Sequence, residues 1–210
     1  MPRAFRPRPI ENGRDERTTL YGATLESLKA QPLRPLVVEI GCGVGLHPIQ
    51  YAELNPSKNI VAIERTSEKF QRFLGRLESH PHLKNQICAV HGDAIHFLDQ
   101  NFETSSIDEV WLLYPNPEPK KPSRRWFQAP FMKRLVELMK PNARLVLATN
   151  IKSYADESLE FASSCGLINT ASRVIRQDSQ FAPRTHFEKK YFERGESLYD
   201  FEFRRRGSED

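Results

Sequence analysis

The sequence predicts an α/β chain with a mostly parallel sheet, helices on both faces and an antiparallel edge strand near the C-terminus. Three observations predict it. Short β-branched runs alternate with amphipathic segments from residue 36 onward. The first run breaks on a glycine cluster, Gly41-Cys42-Gly43-Val44-Gly45. In LYDFEF, Tyr199, Phe201 and Phe203 alternate with Asp200 and Glu202, the pattern of a half-buried strand.

The elements follow in order. Residues 21–31 suit a short helix closed by Pro32 and Pro35. LVVEI (36–40) reads as a buried strand, and residues 46–54 as a helix that tolerates Pro48 in its first turn. NIVAIE (59–64) is a second strand, followed by a helix with Phe70, Phe73, Leu74 and Leu77 on one face. QICAV (86–90) and IDEVWLLY (107–114) are the third and fourth strands. Phe131, Leu135, Leu138 and Met139 mark a helix stopped by Pro141, and ARLVLAT (143–149) is the fifth strand. A helix over 152–164 ends at a Gly166 cap, and residues 171–176 suit a sixth strand.

A chain of 210 residues, 39% hydrophobic with 13 Phe, is large enough to bury a core, which argues against global disorder. One domain over 21–206 is expected. It follows a basic, flexible arm (1–20) that carries Arg3, Arg6, Arg8, Arg14 and Arg17. The opening residues lack an apolar stretch, so they do not read as a secretory signal, and no run reaches membrane-spanning length. Cys42, Cys88 and Cys165 are scattered, with no Cys/His ligand spacing. A cytoplasmic protein with no metal and no membrane partner is expected, as a monomer or a weak homodimer.

In such folds ligands bind at the carboxyl ends of the strands. Gly41, Gly43 and Gly45 permit a tight turn and close backbone approach to a ligand. A dinucleotide fingerprint requires a third glycine where Leu46 stands. Glu64 ends the second strand, where a carboxylate suits a ribose diol, and Asp93-Ala94 follows the third, where it suits an adenine amino group. The alternative for Asp93 is a helix N-cap. Glu39 interrupts an apolar strand, and a buried carboxylate needs a partner. An acid at each of three strand ends around GxGxG favours S-adenosyl-L-methionine over NAD as cofactor.

LLYPNPEPKKPSRR (112–125) follows the fourth strand. Its prolines stiffen the backbone and hold Asn116 in place. Lys120, Lys121, Arg124 and Arg125 form a cationic rim suited to a polyanion such as RNA, the alternative being a solvated surface loop. Tyr114 is a candidate for stacking on a base. Arg204, Arg205 and Arg206 read either as a solubilising edge or as phosphate contacts.

At this loop the chain resembles the bacterial TrmB-type tRNA (guanine-N7)-methyltransferase family, whose loop is of the PDPWPKxRHxKRR type. Here it reads Pro115-Asn116-Pro117-Glu118-Pro119-Lys120-Lys121-Pro122-Ser123-Arg124-Arg125. The family's Thr-Asp pair is similar to Thr149-Asn150, and its T-x-F-E motif to Thr185-His186-Phe187-Glu188. The resemblance covers roughly residues 35–205. It implies a Rossmann-like class I methyltransferase fold and methyl transfer from S-adenosyl-L-methionine to N7 of a guanosine in the tRNA variable loop. It further implies cofactor contacts at Glu39, Gly41, Gly43, Gly45, Glu64, Asp93 and Ala94, and a catalytic position at Asn116. Substrate contacts are implied at Lys120, Arg124, Arg125, Asn150, Thr185, His186, Phe187 and Glu188.

Both family aspartates are asparagine in this chain, and the loop's Trp and His are missing. Guanine N7 has an in-plane lone pair and no proton, so attack on a sulfonium methyl needs no general base. A carboxylate still favours the cationic product ring. Weakened or redirected activity is therefore expected, and Asn116→Asp is expected to raise N7 methylation where the site is only weakened. Two alternatives stay open: a related methyltransferase with another target, and a relative that binds S-adenosyl-L-methionine or RNA without turnover.

Overall fold

A computed structural model of the protein describes residues 18–31, 33–177 and 179–207. The expected arm lies outside the described residues except at its end, where Thr19 and Leu20 belong to a strand. Among the described residues, eight strands and seven α-helices form an α/β fold with a mostly parallel sheet and a few antiparallel members. The described chain divides into two compact units, residues 18–102 with 107–109, and residues 103–106 with 110–207.

The first unit starts with β1 (Thr19–Gly22) and α1 (Leu25–Lys29). A single helix over 21–31 is therefore corrected: the first part pairs antiparallel with a later strand, and Thr24 caps the helix by accepting from the Ser27 amide. Next come β2 (Leu36–Ile40), α2 (Leu46–Leu54), β3 (Asn59–Glu64), α3 (Ser67–Glu78), β4 (Ile87–His91) and α4 (Ala94–Asn101). The strand order is β1-β4-β3-β2, with β2, β3 and β4 mutually parallel.

All five residues of β2 and all six of β3 are buried, as parallel strands require when both faces are covered. In α3, Phe70, Phe73 and Leu77 face inward at helical spacing, and the Phe70 ring stacks on His91 at 5.1 Å. The register pairs Ile40 with Ile63 and Glu64 with His91, so the three parallel strands end level.

β5 (Ile107–Leu113) gives its first three residues to the first unit and the rest to the second. The second unit continues with α5 (Phe131–Leu138), β6 (Met139–Thr149), α6 (Lys152–Ala162), β7 (Leu167–Ile175), α7 (His186–Glu193) and β8 (Leu198–Arg205). α5 ends before Pro141, and β6 takes in both Pro141 and Asn142. Pro141 stands near the start of the strand, where a missing donor is tolerated, and Asn142 adopts φ +65°, which Asn accepts more readily than most residues.

β8 is antiparallel, as expected, but it is not an edge strand. It lies between β6 and β7 and pairs antiparallel with both. The exposed member is β7, whose six residues 169–174 are all open to solvent. Arg204 and Arg205 are pegs: Arg204 donates to Asn142 Oδ1, and Arg205 donates to the Met139 carbonyl. Arg206 donates to Ser163 Oγ at 2.8 Å.

Candidate active site

The level ends of β2, β3 and β4 carry the acids and glycines of the first unit. Gly41 and Cys42 donate their amides to the Ile63 carbonyl at 2.8 and 3.0 Å, which fixes the turn against β3. Gly41, Gly43 and Gly45 have φ of +77°, +61° and +76°. A Cβ on Gly41 or Gly43 would meet nothing within 4 Å, so the turn faces open space there. A Cβ on Gly45 would sit 1.9 Å from the buried Phe73 ring, so that glycine serves helix packing.

Glu39 is buried and its Oε2 lies 2.8 Å from Nδ1 of buried His47. The partner that a buried carboxylate requires is thus supplied by α2, and the sequence reading missed it. Its signal was available: His47 stands on the first turn of the helix that follows the glycines. Glu64 accepts the Gly43 amide at 2.9 Å through Oε2 and the Thr66 amide at 2.6 Å through Oε1. Those bonds aim the carboxylate, and each oxygen keeps a second lone pair.

Asp93 is the N-cap of α4: its Oδ1 accepts the Ile95 and His96 amides at 3.0 and 3.2 Å, so the capping alternative is realised. Oδ2 makes no hydrogen bond among the described residues, and Ala94 begins the helix. Burial and the nearby Glu39 and Glu64 charges push the Cys42 thiol up well above its usual range, so it is an inert filler. Open space at two left-handed glycines, ringed by oriented carboxylates, suits a ligand with a cationic amine, a ribose diol and an adenine.

The second unit holds the proline loop. Arg125 is the correction here. It is 6% exposed, pairs with Glu157, donates Nε to the Pro117 carbonyl at 2.6 Å and lies over the Tyr154 ring. It bolts the loop down from beneath and is not part of an open rim. Lys120, Lys121 and Arg124 are exposed and have no side-chain partner among the described residues. Asn116 is exposed as well, and its side chain turns toward Glu118. Phe127 packs 5.0 Å from Phe203 and Trp126 edge-on to Phe131, so the segment after the basic run anchors the next helix.

Asn150 donates to Glu196 at 2.6 Å. The Thr185–Glu188 segment is chiefly a helix start. Thr185 Oγ1 accepts the Glu188 amide at 3.0 Å, while fully buried Glu188 accepts the Arg184 amide at 2.6 Å and its guanidinium. T-x-x-E is a capping-box spacing, a signal that the reading of this segment passed over. Glu188 is therefore corrected to a structural acid. His186 is exposed on the first turn of α7, and the Phe187 ring stacks on Tyr191 at 6.1 Å. Arg184 also pairs with buried Asp200 at 3.1 Å, a cluster that the sequence did not reveal. The Tyr114 ring packs 5.6 Å from Tyr191, and its buried hydroxyl has no partner among the described residues. Burial raises that hydroxyl's pKa far above the usual range.

Among the described residues no helix is long and apolar enough to cross a membrane, and no three His, Cys, Asp or Glu side chains cluster to hold a metal. The fold and the glycine turn with its ring of acids define the class: a class I methyltransferase fold. It is similar to the solved structure titled an antibiotic related methyltransferase (TM-score 0.67, 14% identity, covering 93% of this chain and 96% of that one). It is also similar to the 16S rRNA methyltransferase KamB (TM-score 0.66, 16% identity, covering 86% and 92%). The chain belongs to the family Methyltransf_4, described as “Putative methyltransferase”, whose pattern matches residues 33–201. A tRNA (guanine-N(7)-)-methyltransferase of Neisseria gonorrhoeae is 29% identical over 191 residues, 89% of this chain and 79% of that protein. One of Paraburkholderia xenovorans is 31% identical over 177 residues, 83% and 67% respectively.

Proposed function

We propose that the protein transfers a methyl group from S-adenosyl-L-methionine to N7 of a guanosine in tRNA. The observation that carries this reading is the open glycine turn at Gly41 and Gly43, with Glu39, Glu64 and Asp93 around it, in a chain whose relatives bear that activity in their names. The bound cofactor supplies an electrophilic sulfonium methyl. Glu39 offers its second oxygen to the amino group, Glu64 to the ribose hydroxyls, and Asp93 Oδ2 to the adenine amine, while Ala94 borders the ring. Gly41, Gly43 and Gly45 shape the turn that admits the ligand. Guanine N7 carries an in-plane lone pair and no proton, so the chain's residues would have only to align it with that methyl group, with no general base.

Lys120 and Arg124, with Lys121, are the cations left to hold RNA phosphates. Asn150, Thr185, His186 and Phe187 are proposed to line the approach of the nucleotide, with Asn116 beside the target base. This reading treats residues 21–206 as one methyltransferase domain acting in the cytoplasm, as a monomer or a weak homodimer. The test is a nucleoside mass spectrum of tRNA lacking 7-methylguanosine after incubation with the protein and S-adenosyl-L-methionine. A 7-methylguanosine peak is expected. A different methylated nucleoside overturns the target, and no methylated nucleoside overturns the activity.

A further inference from the structure

The proline loop contains one acid among its basic residues, Glu118. Its carboxylate is not loose: Asn116 donates Nδ2 to Glu118 Oε1 at 3.1 Å, and Asn116 Oδ1 accepts the Glu118 amide at 3.3 Å. The Asn116 amide is thereby spent on orienting a carboxylate two residues along. The backbone of Glu118 stands at φ +42° and that of Tyr114 at +52°, two of the four left-handed non-glycine residues among those described. Both precede prolines, which disfavour right-handed helical geometry. Such strain persists only where the surroundings enforce it. Here the Pro117 carbonyl is held by buried Arg125, and the Lys121 amide donates to the Glu118 carbonyl at 3.1 Å.

We propose that Glu118 is the guanine-reading residue of this loop. Its two oxygens accept hydrogen bonds from N1–H and the exocyclic amine of the target base, with Asn116 as its positioning residue. The inference rests on the proposed action on guanosine in tRNA. A carboxylate matches the two adjacent donors of guanine's Watson–Crick edge, whereas adenine presents an acceptor at N1 and is rejected. Each carboxylate oxygen has lone pairs for both the Asn116 amide and a base donor. Methylation at N7 makes the ring cationic and its N1–H more acidic. The contact therefore strengthens as the methyl group is transferred, and binding that grows toward the transition state raises the rate. The negative charge absent from position 116 is thus present 3.1 Å away, on the side chain that Asn116 holds. On this view Asn116→Asp alone does not raise activity, because it sets two carboxylates against each other.

The test compares tRNA ligated with guanosine or with inosine, which lacks the exocyclic amine, at the variable-loop target. Wild type is expected to prefer guanosine by about tenfold, in kcat/KM and in tRNA affinity by fluorescence anisotropy. In Glu118→Gln the preference falls toward unity. Glu118→Gly relieves the left-handed strain and removes the carboxylate, so it loses the preference with an unchanged circular dichroism spectrum. Combining Asn116→Asp with Glu118→Gln restores the preference. A guanosine-to-inosine ratio that is the same in wild type, Glu118→Gln and Glu118→Gly overturns the proposal, even where absolute activity drops, because a merely structural acid affects both substrates alike. The affinity arm needs no turnover. A Glu118-dependent ratio without 7-methylguanosine leaves guanine recognition standing and overturns the methylation reading instead.

Discussion

Arg184 shows how one side chain holds a region together. Its guanidinium neutralises Glu188, which is fully buried, and Asp200, 3% exposed, and it lies over the Trp111 ring at 5.7 Å. Removing it leaves Glu188 without a cation in a low-dielectric interior, while Asp200 keeps only its 3.1 Å pair with the more exposed Arg173. Arg184→Met is expected to destabilise the fold by about 3–5 kcal/mol, measured by urea unfolding. Asp200 falls on the polar side of the alternation in LYDFEF, yet it is buried. The pattern reported alternation correctly and misjudged the second face, because the cover that α7 and Arg184 give it comes from chain packing, which no periodicity within β8 records. Glu39, an acid within an apolar strand, needs a partner once buried, and His47 is that partner.

At the level of the element, the turn between β2 and α2 separates two kinds of glycine that look alike in sequence. Gly43→Ala places a Cβ in open space at φ +61°, at a strain cost of about 1–2 kcal/mol. The fold is expected to survive, while affinity for S-adenosyl-L-methionine falls in calorimetric titration. Gly45→Ala drives a Cβ into Phe73, and overpacking of that kind costs about 1–3 kcal/mol. Its expected signature is a lower melting temperature, with cofactor binding recovered on cooling. Equal loss of binding without loss of stability in both variants would remove the distinction. The strands β2 and β3 and the helix α2 were legible residue for residue, because buried β-branched runs and punctuating glycines are local signals. β1 was not legible, since four residues with one glycine carry no periodicity, and its pairing with β4 is a long-range event.

For the molecule as a whole, charge placement matters more than the net +4. Exposed Lys120, Lys121 and Arg124 are expected to release counterions on binding RNA, so replacing all three with Ala should flatten the slope of log affinity against log salt by about 2. Arg125→Ala should instead unfold the loop and lower the melting temperature, because that side chain is buried against Glu157. An unchanged salt slope in the triple variant would rule out this rim as the phosphate contact.

The sequence by itself determined the alternating strands and helices, the glycine turn with an acid at each of three strand ends, and the stiff basic loop with its displaced asparagine. All of these are written in neighbouring residues, through periodicity, proline and glycine. Tertiary structure alone decided which charges are available for chemistry. Arg125 is claimed by Glu157, and Asp200 by Arg184 and Arg173, whereas Arg124 and Lys120 are left free among the described residues. These pairings join different elements of the fold, and no local pattern encodes them.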